Sequence, residues 1–289
     1  MERISRAHQL ILMRMRFSFE EQDLMRKIVE RKIPMKSVLC LSGGLDSTTA
    51  YFWLKYVSPN DELKSVYVNL NTKYSQKETD VVTSLNAKIS GLDIQFCTGP
   101  DMSSFDADKT GYVRFRNLYL AMLAAQFGTN IRIIGVKGDK VCDKSPEAFE
   151  TMSTLLNAVS DIDRDGPVTI SSPFWDLTKT DLVKFLLENL GKEKAIDVLK
   201  TSSSCYDSIK THCGHCPSCF RKWIALEAAG IESVSWFTSD PRKYDEIPNY
   251  ISRLKNGKYE AQRTAETVLI LAKYGLLNLE GPAQVREKE

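Results

Sequence analysis

The sequence predicts an α/β protein, a parallel sheet with helices on both faces, extended by a small helical lobe built on a zinc knuckle. Three observations predict it. Short apolar runs of strand length alternate with helix-period segments across residues 35–190. The first of those runs, Val38-Leu39-Cys40-Leu41, breaks at Ser42-Gly43-Gly44 and passes directly into helical sequence. Four cysteines then crowd into residues 205–219.

A chain of 289 residues has room for one large or two modest domains. The composition divides it into an accessory helical segment (1–34), a nucleotide-binding domain (35–190) and a knuckle-bearing helical lobe (191–289). With 43% hydrophobic and 26% charged residues it is an ordinary globular composition. The net charge of +2 argues against a strong electrostatic nucleic-acid binder and leaves a local basic patch open. No apolar run approaches the roughly 18 to 20 residues that span a bilayer, and the N-terminus lacks the apolar core of a secretory signal. No membrane partner and a cytoplasmic location are therefore expected. Cysteines in that compartment stay reduced, so clustered ones point to metal or redox work.

Leu24, Met25 and Ile28 recur at helical spacing after the cap-like Ser18, and an accessory helix packed on the body is expected there. Helix 48–57 follows the Gly-Gly turn. Strand 64–70, helix 76–88, strand 92–97, helix 117–127 and strand 131–136 continue the alternation. Helix 147–159, strand 168–171 and helix 179–189 complete it, the last capped by Thr178. Asp240 and Pro241 through Tyr244 to Pro248 read as a loop, and residues 262–277 as a final helix with Ile270, Leu271 and Tyr274 on its apolar face.

The Gly-Gly turn carries the first chemistry. A helix N-terminus offers unpaired N–H groups and a partial positive charge, so strand, turn and helix start form an anion seat. Such seats lie beyond the carboxyl ends of parallel strands, where ligands gather. A loop that moves a terminal phosphate ends in Gly-Lys-Ser/Thr. This one has no lysine and has Asp46 before Ser47 instead. The string Ser42-Gly43-Gly44-Leu45-Asp46-Ser47 resembles the pyrophosphate loop of the ATP pyrophosphatases, which implies cleavage of ATP between its α and β phosphates.

Cys205, Cys213, Cys216 and Cys219 form the second motif, C-x7-C-x2-C-x2-C. Overlapping Cys-x-x-Cys pairs let thiolates converge on one tetrahedral ion, and four sulfurs with no open position suit structural zinc. An iron–sulfur cluster is the chemical rival. His212 and His215 are expected as exposed loop histidines. Cys40 and Cys97 lie in apolar strands and are expected to be buried and inert, whereas Cys142 falls in a polar loop.

A pyrophosphate loop followed by a four-cysteine knuckle resembles the 7-cyano-7-deazaguanine synthase family, across residues 37–231. Further matches are Arg116-Asn117, Gly135-Val136, Ser172-Pro173-Phe174, Leu177-Thr178-Lys179 and Arg221. The resemblance implies ATP and Mg2+ at Ser42, Gly43, Gly44, Leu45, Asp46, Ser47 and Thr48, with Asp46, Arg116 and Lys179 catalytic. It implies Zn2+ on the four cysteines, and substrate contacts from Tyr74, Gln76, Asn117, Asp139, Asp143 and Glu147. It implies a deazaguanine-type carboxylate joined to ammonia or another amine, giving amide or nitrile, in a homodimer.

Two departures bear on the acceptor. The family pattern Tyr-Gly-Gln, basic residue, His is Tyr74-Ser75-Gln76-Lys77-Glu78 here. Its substrate loop, rich in tyrosine and carrying an arginine, becomes Asp139-Lys140-Val141-Cys142-Asp143-Lys144-Ser145-Pro146-Glu147. Stacking and bidentate recognition are lost, and lysine does not replace them. A repurposed relative joining a deazaguanine to a protein or DNA partner, as in phage DNA modification or antiphage defence, stays open. So do a tRNA-modifying adenylase and a noncatalytic nucleotide-binding scaffold.

Overall fold

The computed structural model describes residues 36–105, 113–139, 142–203, 205, 207 and 212–277. The expected accessory segment 1–34, Lys140 and Val141 of the substrate loop, and the chain beyond 277 lie outside the described residues.

Among the described residues, five strands form one sheet in the order β3-β2-β1-β4-β5. They are β1 (Lys36–Cys40), β2 (Glu62–Asn69), β3 (Ile94–Thr98), β4 (Asn130–Arg132) and β5 (Thr169–Ser171), and every pairing is parallel. The order reverses at β1, which lies between β2 and β4, so the loop leaving β1 opens at the switch point of the sheet.

Strand side chains alternate between two apolar layers, as a period of two requires. Leu39, Leu41 and Tyr67 face one layer, packed on Ala50 and Trp53 of α1 (Leu45–Val57), on Val82 and Leu85 of α2 (Ser75–Lys88) and on Leu182 and Leu186 of α6 (Lys179–Leu190). Val38, Val66, Ile131 and Ile170 face the other, against Ala121 and Ala124 of α3 (Arg116–Ala124) and Phe149 and Met152 of α4 (Pro146–Ala158). A one-turn helix, α5 (Ile162–Asp165), leads into β5. The first layer continues past residue 190 through Ala195, Val198 and Leu199 of α7 (Lys192–Thr201) to Leu226 of α8 (Pro217–Ala228).

A third cluster holds the four cysteines with Phe220 and Trp223 of α8, Tyr250 and Leu254 of α9 (Ile247–Lys255), and Ile270 and Leu271 of α10 (Ala261–Lys273). Several expected bounds shift. Helix α1 begins at Leu45, three residues before Thr48, with Gly44 as its N-cap. The fourth strand stops at Arg132; Val136 beyond it makes only an isolated parallel bridge to Phe174. Pro248 does not end a loop but sits in the first turn of α9, where a missing N–H costs nothing.

Candidate active site and metal centre

The loop between β1 and α1 is shaped by its glycines. Gly43 has φ +74°, and a Cβ there would lie 2.7 Å from Val81 Cγ1, so only glycine lets the turn pass beneath α2. Gly44 caps α1 without a side-chain hydrogen bond, leaving the first-turn N–H groups unclaimed by any cap. Ser42 and Ser47 hydroxyls meet at 3.3 Å, and Ser47 Oγ also donates to Gly44 O at 3.3 Å. Thr48 Oγ1 is buried with no partner among the described residues. An uncapped helix start above a glycine turn fits a phosphate chain.

This loop forms one wall of a cavity of about 250 Å3 lined by Ser42, Gly44, Asp46, Ser47, Tyr74, Lys77, Glu78, Arg116, Asn117, Asp139, Lys144, Lys179, Ser203 and Arg221, among others. Lys179, first residue of α6, reaches across to pair with Asp46, first turn of α1. Thr178 caps α6 through a reciprocal capping box with Asp181. Arg116, opening α3, donates to the Tyr74 hydroxyl.

The side of the cavity around Asp139 is built differently. Asp139 is almost enclosed and meets Lys144 at 3.1 Å and Arg221 at 3.8 Å. Burial pushes its carboxyl up, but Lys144, Lys179 and Arg221 together prevail and hold it well below the usual carboxylate range. Burial pushes Glu78 up to about 7, with Arg116 and Lys77 pulling against it. Asp143 instead grips the start of α3: it accepts from Asn117 N at 3.1 Å and Asn117 Nδ2 at 3.0 Å. That use of Asp143 and Asn117 orients the helix that delivers Arg116 to the cavity.

The structure does not bring every expected residue to the cavity. Gln76 is exposed and donates to Asp80 at 3.0 Å, and Glu147 lies exposed in the first turn of α4. Gly43, Leu45 and Thr48 shape the loop and pack beneath it without lining the cavity. Lys77, Lys144 and Ser203 line it too; the first two stood in the sequence only within the departures from the family pattern, and no role was expected of Ser203. Lys77 stood there only as the basic residue of the Tyr74–Glu78 pattern. Its Nζ donates to the backbone carbonyls of Cys205 and Asp207, a partner 128 residues away that no local pattern reveals.

The knuckle abuts the same cavity. All four Sγ atoms lie within 4.8 Å of one another, with Cys213 and Cys219 at 3.9 Å and Cys205 and Cys216 at 4.0 Å. Zn–S bonds of about 2.3 Å place tetrahedral sulfurs about 3.8 Å apart, so the four residues fit a zinc ion. Backbone N–H groups of Cys213 and Cys219 point at Cys205 Sγ and Cys216 Sγ, each at 3.4 Å. Burial pushes the free Cys213 thiol up to about 12, and the contact with Cys205 raises Cys219 further. A dication is what lets four thiolates share this volume.

His215 is exposed as expected, but His212 is not: it is buried, its Nε2 3.0 Å from Lys200 O, its ring tilted against Phe237 at 5.7 Å. Burial, then Lys222, drives its imidazole down to about 3. The segment entering the knuckle is tied to the phosphate loop, since Ser203 N donates to Gly43 O at 2.8 Å. Cys40 and Cys97, expected to be buried, are half-buried because strand ends near the loops leave one side of each open; enclosure raises the Cys40 thiol to about 12, and Cys142 is exposed.

A doubly wound parallel sheet with this lysine-free loop at its switch point defines a pyrophosphate-loop α/β protein with a four-cysteine centre. The chain belongs to the family of the queuosine biosynthesis protein QueC, whose model matches residues 36–230. A 7-cyano-7-deazaguanine synthase of Methanococcus maripaludis is 30% identical over 251 residues, covering 73% of this chain and 99% of the relative. That of Nitratiruptor is 31% identical over 221 residues, covering 68% and 96%. That of Methanocaldococcus jannaschii is 26% identical over 230 residues, covering 68% and 97%.

Proposed function

We propose that the protein is an ATP-dependent carbon–nitrogen ligase that adenylates the carboxylate of 7-carboxy-7-deazaguanine, or a close relative, and joins it to ammonia or another amine. The observation that carries this reading is the Asp46–Lys179 pair set across an uncapped helix start in one cavity with Arg116. The amides of the α1 first turn, with Ser42 and Ser47, hold the phosphate chain of ATP. Asp46 would hold Mg2+, which would supply charge neutralisation at the phosphates. Lys179 and Arg116 offset charge as the substrate carboxylate attacks the α-phosphorus and pyrophosphate leaves. The amine then attacks the acyl carbon, and AMP leaves with the carboxylate oxygen. Ammonia yields the amide; a second ATP then adenylates the remaining amide oxygen, AMP leaves carrying that oxygen, and loss of the two nitrogen protons yields the nitrile.

Neither step needs a nucleophilic side chain, because positioning and charge compensation suffice. The knuckle cysteines hold zinc as a structural tie behind the phosphate loop. A cytoplasmic homodimer belongs to the same reading. The acceptor end supports a larger amine as a second reading, because Lys144 is spent on Asp139 and Glu78 stands where the family carries histidine. A protein terminus, or a DNA base built by the same coupling, then replaces ammonia.

Incubation of the pure protein with ATP, Mg2+ and 7-carboxy-7-deazaguanine, with ammonium or a peptide amine, tests the proposal. AMP and pyrophosphate in equal amounts, dependent on the carboxylate, are expected. Absence of both with every amine supplied refutes it.

A further inference from the structure

Residues 231–277 lie beyond the span matched by the family model, yet the N-cap and first two turns of α10 reach back to the loop that carries Asp139 and to the start of α6 at Lys179. Glu266 accepts from Thr178 Oγ1 at 2.8 Å and from Thr180 Oγ1 at 2.7 Å, the residues on either side of Lys179. Gln262 Nε2 donates to Asp181 Oδ2 at 3.1 Å, the other half of the α6 capping box. Thr178 Oγ1 accepts from Asp181 N at 3.3 Å and has two carboxylate acceptors, Glu266 Oε1 at 2.8 Å and Asp181 Oδ2 at 3.0 Å, so Glu266 joins the α6 cap as a second carboxylate on the same hydroxyl. On the Asp139 loop, Arg263 Nη1 donates to Gly138 O at 2.9 Å, next to Asp139, and Glu260 meets Lys137 at 3.5 Å. Arg263 is itself held over the Tyr259 ring at 4.4 Å. The loop and the start of α6 are joined by Lys137 N donating to Leu177 O at 2.9 Å.

We propose that the first turns of α10 form a clamp that sets Lys179 and Asp139 in the cavity, with Glu266 and Arg263 as positioning residues. The reason is steric and electrostatic. Lys179 must cross from the start of α6 to Asp46 on α1, and its reach is fixed by where the α6 cap sits. A half-buried carboxylate that accepts two threonine hydroxyls pins that cap in two directions. Arg263 does the same for the turn at Gly138, whose φ of +81° leaves the following Asp139 dependent on the turn for its direction. Small errors in such placement cost rate without costing affinity.

The inference rests on Lys179 acting in the ligase reaction proposed above, so its test carries one readout that does not. Full-length Glu266→Ala, Glu266→Gln and Arg263→Ala are compared with wild type. Carboxylate-dependent AMP release is expected to fall in kcat by about tenfold to a hundredfold in Glu266→Ala, with KM for ATP within about twofold. Glu266→Gln, which keeps an acceptor oxygen, is expected to regain most of the loss. Independently of turnover, labelling of Lys179 by an amine-reactive acylating reagent, followed by peptide mass spectrometry, is expected to speed up several-fold in Glu266→Ala and not in Glu266→Gln. Unchanged labelling in a folded Glu266→Ala protein overturns the clamp. So does a kcat loss matched by an equal loss in Glu266→Gln. A wild type without turnover but with Lys179 protected by Glu266 refutes the ligase and keeps the clamp.

Discussion

Replacing Glu78 by glutamine tests the electrostatics of the cavity wall without removing its hydrogen-bonding shape. Burial raises the Glu78 carboxyl from the ordinary 4.5 to about 7. In the unfolded chain the group ionises near 4.5, while in the fold it keeps its proton until about 7. The native state therefore binds the extra proton between those values, and stability falls as pH rises through that window. One unit of displacement is worth about 1.4 kcal/mol, which sets a ceiling of roughly 3 kcal/mol. The side chain is only partly buried, so solvent screening reduces this to about 1–2 kcal/mol. Glutamine carries no such penalty. The gap in unfolding free energy, mutant minus wild type, should widen in the mutant's favour by about 1–2 kcal/mol between pH 5 and pH 8. For a chain of this size each kcal/mol moves Tm by about 2–4 °C. Paired thermal and urea melts at pH 5, 6, 7 and 8 measure it. A gap that stays flat, or that narrows with pH, refutes the claim that Glu78 is held protonated by its surroundings.

Asp46→Ala or Lys179→Ala should lower ATP turnover by about a hundredfold to a thousandfold while leaving the melting curve within a few degrees, read by pyrophosphate release and circular dichroism on the same samples. Gly43→Ala forces a Cβ to 2.7 Å from Val81 at φ +74°, and a loss of about 1–3 kcal/mol in urea unfolding together with weaker ATP binding is expected. Elemental analysis should find one zinc per chain, with Cys213→Ser abolishing it; because Ser203 N bonds Gly43 O, hydrogen exchange at residues 43–47 should also speed up on chelation. Asp143→Ala frees both Asn117 contacts and should raise KM for the carboxylate more than KM for ATP, measured in initial-rate assays.

Much of the framework was legible because it is local. The apolar run 38–41, the Gly-Gly turn and the helix behind it announce the phosphate seat from nearest neighbours alone, and the 205–219 cysteine spacing announces a metal centre in the same way. Thr178 as the cap of α6 was readable for the same reason, since a capping box spans four residues. His212 was not: an imidazole flanked by polar residues looks exposed until Phe237 and Lys200 close over it from elsewhere in the chain. The partner of Lys77 was not legible either, because the cysteine segment that accepts its hydrogen bond lies 128 residues further along the chain. Asp143 reads as a substrate ligand until α3 is seen to begin above it.

The sequence by itself determined the fold class, the place of the glycine turn before α1 and the crowding of the four cysteines, because hydrophobic period, glycine conformation and cysteine spacing act within a few residues. Only the tertiary structure decided which charges meet. Asp46 finds Lys179, Asp139 finds Lys144 and Arg221, and Glu266 finds the threonines beside Lys179 only after the sheet and the C-terminal lobe have packed. Coulomb energy and hydrogen bonding depend on distance in space rather than along the chain, so the identity of a charged partner is a property of the fold.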